Sequence, residues 1–138
     1  MKRTGLLLSL TLIVGIALGV IGTQVLNAQQ APMKRTVLIK TDLAGIEGKE
    51  AVLALVEFAP GAATEPHYHP GEELAYLLEG SISFEAKGRP PVTFKPGDTF
   101  HQPPKQVHRV KNLSATMPAK ALAFTISEKD LPLTVPVK

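Results

Sequence analysis

Apolar residues follow two regimes along the 138-residue chain. Residues 6–26 form one run of Leu, Ile, Val, Ala and Gly, interrupted only by Ser9, Thr11, Thr23 and Gln24. From residue 36 onward the apolar positions instead come in short clusters rich in Val, Ile, Leu and Phe, at 36–40, 51–58, 74–78, 81–86, 92–95, 99–102, 107–111 and 120–127. Between them stand Pro60-Gly61, Glu79-Gly80, Lys87-Gly88, Pro96-Gly97-Asp98 and Pro103-Pro104. These residues favour turns, because Gly reaches φ > 0 without steric cost and Pro pre-sets φ. Clusters this short have the length of strands, and no helical pattern of about 10–15 residues separates them. The chain from residue 36 is therefore predicted to be all-β, an antiparallel sandwich or small barrel whose neighbouring strands are joined by hairpins. Residues 131–138 contain Pro132 and Pro136, which cannot donate to a central ladder, so an extended tail or edge segment is expected there.

The N-terminal run has a different meaning. Lys2 and Arg3 precede it, and no charged residue occurs between Thr4 and Met33, the arrangement of an export signal or a membrane anchor. As a helix, residues 6–26 would reach about 30 Å, enough for the hydrocarbon layer, whereas a signal peptide's apolar region usually has about 7–15 residues. Ala28 offers a small residue for cleavage, although Leu26 is bulky for the position two residues earlier. The chain divides accordingly into 1–28, a signal peptide or N-terminal anchor that attaches to the membrane through 6–26 if retained; 29–35, a polar linker; and 36–138, the β domain. The basic residues ahead of the apolar run place that domain outside the cytoplasm, in a periplasmic or other extracytoplasmic setting.

Composition changes this picture in two places. With no cysteine, a disulfide framework, thiol catalysis and a Cys-based zinc site are excluded. The formal charge of +3 includes Lys2 and Arg3, and the remainder is nearly neutral. The pI near 9.3 therefore does not describe a nucleic-acid surface, and that partner class is set aside.

The candidate chemistry lies between residues 67 and 108, which hold all four histidines. His67 and His69 are two apart, so in extended chain they face the same side. Glu73 joins them if Pro70-Gly71 bends the chain back, and His108 adds a third imidazole from another strand. Three His and one carboxylate suit a borderline divalent ion, Fe, Mn, Ni, Cu or Zn, and suit Ca or Mg poorly. Alternation sends Glu72 to the opposite side from Glu73, as a surface charge. Tyr76 should also face away, as packing or as a dimer surface. His101 matches no ligand position, and reads as a half-exposed strand residue or as a group supporting the ligands or facing a substrate. Phe84, Phe94, Phe100 and Phe124 are expected in the core, Arg109 on the face opposite His108, and Lys105 and Gln106 on a turn where they could guide an anion.

These residues also resemble a known family. Gly61-x5-His67-x-His69-x3-Glu73-x6-Gly80 resembles the first cupin motif at every fixed position, and Gly97-x5-Pro103-x4-His108-x3-Asn112 resembles the second. The likeness covers roughly residues 34–127. One position departs from it: Lys105 stands where a glycine is expected two residues after Pro103. Because Pro103 and Pro104 stiffen the approach, φ < 0 is expected at Lys105, and a glycine would then be unnecessary. The resemblance implies a small β-barrel of jelly-roll type in which His67, His69, Glu73 and His108 hold one divalent transition metal. It further implies a small enolic, phenolic or carboxylate substrate in a pocket lined by Leu, Ile, Val and Phe. The activity would be that of a dioxygenase or isomerase, or alternatively the protein would be a non-catalytic extracytoplasmic module that holds a metal and a small ligand. A homodimer is one expected assembly.

Overall fold

Buried and more exposed positions alternate along 72–78, 108–112 and 119–128 in the computed structural model, which describes residues 33–138. The expected signal or anchor segment lies outside the described residues. Ten strands follow in order: β1 (Met33–Asp42), β2 (Lys49–Phe58), β3 (His67–Tyr68), β4 (Glu72–Glu79), β5 (Ile82–Ala86), β6 (Val92–Phe94), β7 (Thr99–Gln102), β8 (His108–Asn112), β9 (Ala119–Glu128) and β10 (Val135–Pro136). They form two five-stranded sheets, β1-β2-β9-β4-β7 and β10-β3-β8-β5-β6. All paired strands run antiparallel.

Each expected strand is present, and β3, which the apolar clusters did not predict, is added to them. β1 starts at Met33, so Arg35, read from the sequence as the end of the linker, is part of the sheet. The Pro-containing tail supplies the edge strand β10, which pairs with β3 through Val135↔Tyr68 and Pro136↔His67.

The inward face of β9 carries Ala119, Ala121, Ala123, Thr125 and Ser127, and that of β4 carries Glu73, Ala75 and Leu77. These pack with Val56, Phe58, Ile82, Phe84 and Val110 from the other strands. The small alanines opposite the phenylalanines leave space inside the barrel, and that space becomes the site. Phe94 and Phe100 pack against the core, stacked at 4.7 Å. Phe124 does not join them. It lies on the outer face of the first sheet, in register with Leu53 and Leu74, because its neighbours Ala123 and Thr125 take the inward positions. Tyr76 lies on that outer face too, as expected.

Two backbone features shape the approach to the site. Gly71 sits where the chain turns between His69 and Glu73, and a Cβ there would collide with the Ile126 carbonyl and the Ser127 side chain. Only glycine lets this turn press against β9 and bring Glu73 back. Lys105, by contrast, has φ 63, which overturns the expected φ < 0. A proline restricts its own φ and the residue before it, not the residue after it. Lys105 N–H donates to His69 O at 2.8 Å, and that tertiary bond holds the turn in the left-handed region. Since the side chain is exposed, Lys105→Gly is expected to stabilise the domain by about 1 kcal/mol. Thermal unfolding checks this: a rise of about 4 °C or more is expected, and a fall would show that the lysine is unstrained.

Candidate metal centre

The ladder between β3 and β8 places His67 directly opposite His108, and His69 follows on the same side as His67. The ring centroids are 4.3 Å apart for His67 and His108, 5.0 Å for His69 and His108, and 5.2 Å for His67 and His69. All three histidines are buried. Each Nδ1 lies against a backbone carbonyl: His67 on Glu65 O at 2.8 Å, His69 on Leu133 O at 2.6 Å and His108 on Gln106 O at 2.9 Å. A carbonyl oxygen only accepts, so each Nδ1 donates its proton and each Nε2 keeps a lone pair. One nitrogen from each ring lies within 4.8 Å of the others. His108 Nε2 is buried and has no hydrogen-bond partner. Burial, the largest influence, pushes His108 down to about 4 and also lowers His69, so these rings are neutral near pH 7. Buried lone pairs that converge without a donor are what a cation completes. The donor set fits a divalent transition ion.

Glu73 stands beside this cluster, 3 % exposed, with Oε1 3.4 Å from His69 Nε2. Glu73 is not among the residues whose donor atoms all lie within 4.8 Å of one another, which are His67, His69 and His108, so it adjoins the histidine cluster through His69. Register then accounts for its surroundings. Gln102 on β7 and Thr125 on β9 are the ladder partners of Glu73. Gln102 Nε2 donates to Oε1 at 3.2 Å, and Thr125 Oγ1 donates to Oε2 at 3.1 Å. Arg35 Nη1 on β1 adds a third bond, to Oε2 at 3.3 Å. Phe84 stacks on the His108 ring at 5.0 Å and so limits its rotation.

Other expected residues fall elsewhere. His101 is exposed and pairs with Glu72 on the outer face, while its neighbour Gln102 takes the inward place, so His101 does not support the ligands. Arg109 faces Glu85 at the surface, opposite His108 as alternation requires. Lys105 is exposed, and Gln106 serves the centre through its carbonyl. The cavity beside the histidines is small, with about 30 Å³ in which a water centre fits. Its apolar wall is Val, Phe, Met and Ala, with no Leu or Ile, which corrects the expected lining. Arg35, Gln102, Thr125 and the Leu133 carbonyl were not found from the sequence. The one signal pointing to any of them is the inward parity of Gln102 relative to exposed His101.

Two outcomes follow from this geometry. Glu73→Gln should weaken metal binding by about tenfold or more, whereas Glu72→Gln should leave it unchanged and alter stability by no more than about 0.5 kcal/mol. Equal losses in a metal titration would mean that β4 is in the wrong register. Deleting residues 131–138 removes the Leu133 carbonyl that orients His69, and is expected to cost about 10–100-fold in metal affinity. Unchanged affinity in the truncated chain would show that the tail is irrelevant to the centre.

The family model of the Cupin domain matches residues 54–125. Among curated proteins, 63 residues are 32% identical to Dimethylsulfoniopropionate lyase DddQ of Ruegeria pomeroyi, covering 45% of this chain and 31% of that protein. A stretch of 86 residues is 30% identical to Germin-like protein subfamily 2 member 4 of Arabidopsis thaliana, covering 59% of this chain and 39% of that protein. The chain thus spans well under half of either curated relative. Among solved structures, a cupin-like protein from Thermotoga maritima superposes with TM-score 0.61 at 24% identity, over 76% of this chain and 75% of that one. An oxalate oxidase also gives TM-score 0.61 at 24% identity, over 80% and 57%. These superpositions show a shared fold.

Proposed function

Since the chain belongs to the Cupin domain family, we propose that it is an exported cupin that binds one divalent transition metal through His67, His69, His108 and Glu73 and acts on a small organic substrate. The substrate class is enolic, phenolic or carboxylate, and the reaction is that of a dioxygenase or isomerase. The observation that carries this reading is the convergence of three imidazoles whose Nδ1 atoms are all tied to carbonyls, with His108 Nε2 buried and unpartnered.

A divalent ion in such a site supplies Lewis acidity, a lowered pKa for bound water, or redox capacity. The chain's own residues set the conditions for that chemistry. The three carbonyl bonds keep the imidazole lone pairs aimed at one point, so little reorganisation is needed on loading. Arg35, Gln102 and Thr125 hold the Glu73 carboxylate in place. Val56, Phe58, Phe100 and Val110 line the cavity and give it an apolar wall, which strengthens electrostatic interactions inside it. The two relatives named as a dimethylsulfoniopropionate lyase and an oxalate oxidase have small carboxylates in their names, which supports the carboxylate arm of the proposal.

Dioxygen uptake with a panel of catechols, flavonols and small acids, after loading with Fe, Mn, Ni, Cu or Zn in turn, tests the enzyme reading. Turnover with any pair supports a dioxygenase, and product analysis of the same mixtures detects isomerisation. Ligand binding without turnover of any kind supports the alternative, a non-catalytic extracytoplasmic binding module. Export is tested by a reporter fused after Lys138 that is active only outside the cytoplasm, and the N-terminal mass separates a cleaved signal from a retained anchor. The apolar outer face of the first sheet, with Leu74 and Tyr76 about half exposed, supports a homodimer. Tyr76→Glu should then shift the chain to monomer in gel filtration.

A further inference from the structure

Met33 and Arg35 bring β1 into the wall of the metal cavity. Arg35 donates through Nη1 to Glu73, while its Nε is buried and has no hydrogen-bond partner. A guanidinium N–H only donates, so whatever completes it must be an acceptor. The charges narrow that acceptor further. Arg35 and Glu73 cancel, and an imidazole that ligates an ion adds no charge of its own, so a divalent ion would leave two positive charges uncompensated beside Met33, Val56, Phe58 and Phe100. Unpaired charge in such surroundings is costly, and an anionic ligand relieves it. Gln102 adds a second requirement. Its Nε2 serves Glu73, and its Oε1 is buried with no hydrogen-bond partner, which calls for a donor such as a hydroxyl. The Arg35 side chain is 15% exposed, so it borders solvent as well as the cavity and can meet an incoming anion. The small volume restricts that anion to a few carbons.

We propose that Arg35 is the carboxylate-docking residue of this cavity and selects small hydroxy or enolic acids over their neutral analogues, with Gln102 Oε1 receiving the ligand's hydroxyl. The assignment rests on the reading of the chain as a metal-loaded cupin for small molecules. It goes beyond that reading by giving the ligand a charge, a donor pattern and a residue that reads them.

The test uses the full chain loaded with Co(II), with lactate and its neutral counterpart lactamide as probes. Binding is followed by calorimetry and by the visible bands of the cobalt. Lactate should perturb those bands and bind more tightly than lactamide by about tenfold or more, because charge-assisted bonds to guanidinium exceed neutral ones. In Arg35→Met that preference should shrink to what the charge of the ion alone supplies, and in Arg35→Lys, which keeps the charge but not the planar fork, it should take an intermediate value. A residue that merely braced Glu73 would weaken cobalt binding and lower both probes alike, so an unchanged lactate-to-lactamide ratio in the two variants overturns the proposal. If Arg35→Met does not fold, the ratio in Arg35→Lys decides. Wild-type chain that takes up no cobalt overturns both this inference and the metal reading beneath it. Wild-type chain that takes up cobalt yet binds the two probes equally overturns this inference alone.

Discussion

His108→Ala is expected to lower affinity for a divalent transition metal by about 100-fold or more, and to reduce the metal carried through purification from about one equivalent per chain to below about a tenth. The size of the effect follows from the position of the nitrogen that is lost. His108 Nε2 is buried and unpartnered, opposite His67 across the β3–β8 ladder, and neither solvent nor a neighbouring side chain replaces it. The same change has a second signature. A metal that binds only the folded chain stabilises it by about 4 kcal/mol at a thousandfold excess over its Kd, so the wild-type melting temperature should climb with added metal and that of His108→Ala should stay flat. His67→Ala should behave in the same way, because its ring occupies the facing position. Elemental analysis and a thermal melt with and without metal check both variants. Occupancy that survives in both would rule out the centre built from His67, His69 and His108.

Acidification is expected to have the next largest effect, and its sign follows from burial. In the unfolded chain a histidine takes up its proton near pH 6.5, whereas burial holds His108 down to about 4 and lowers His69 as well. Between those limits the unfolded chain binds protons that the folded chain refuses, so stability is fully present above about pH 6.5 and declines as the pH falls towards 4. His108 alone accounts for roughly 2–3 kcal/mol of that decline. Metal is lost over the same range, because the atom that accepts the proton is the Nε2 that would otherwise bind the ion. Urea unfolding of the metal-free chain at pH 7 and pH 4.5 measures the slope, and His108→Ala should remove most of the His108 share. A stability that is level across this interval in the wild type would show that the histidines are charged in the fold.

Most of the strands could be read from local pattern, because a period of two is a property of neighbouring residues. The same locality made His67 and His69 legible as a pair on one side, separated Glu73 from Glu72, and set Arg109 opposite His108. The turn residues Pro60-Gly61, Glu79-Gly80 and Pro96-Gly97-Asp98 marked the breaks, since their φ preferences act at single positions. Alternation cannot say which face is inward when both faces are apolar. Along β9, Leu122 and Phe124 alternate with Ala121 and Ala123, and the larger residues ended up outside because the inward positions had to leave room for the cavity.

What lay beyond the sequence was long-range pairing. Gln102 and Thr125 flank Glu73 only because β7 and β9 border β4 in one particular register. Arg35 reaches Glu73 across a separation of 38 residues and Leu133 reaches His69 across 64. Lys105 adopts φ > 0 because its amide meets the His69 carbonyl, a bond that nothing within the turn specifies. Side-chain chemistry and spacing along the chain therefore determined the candidate ligands and the strands that carry them. The groups that orient those ligands, balance their charge and shape the cavity were decided by which strands lie side by side, since register is set by burial summed over whole sheets and not by any residue's immediate neighbours.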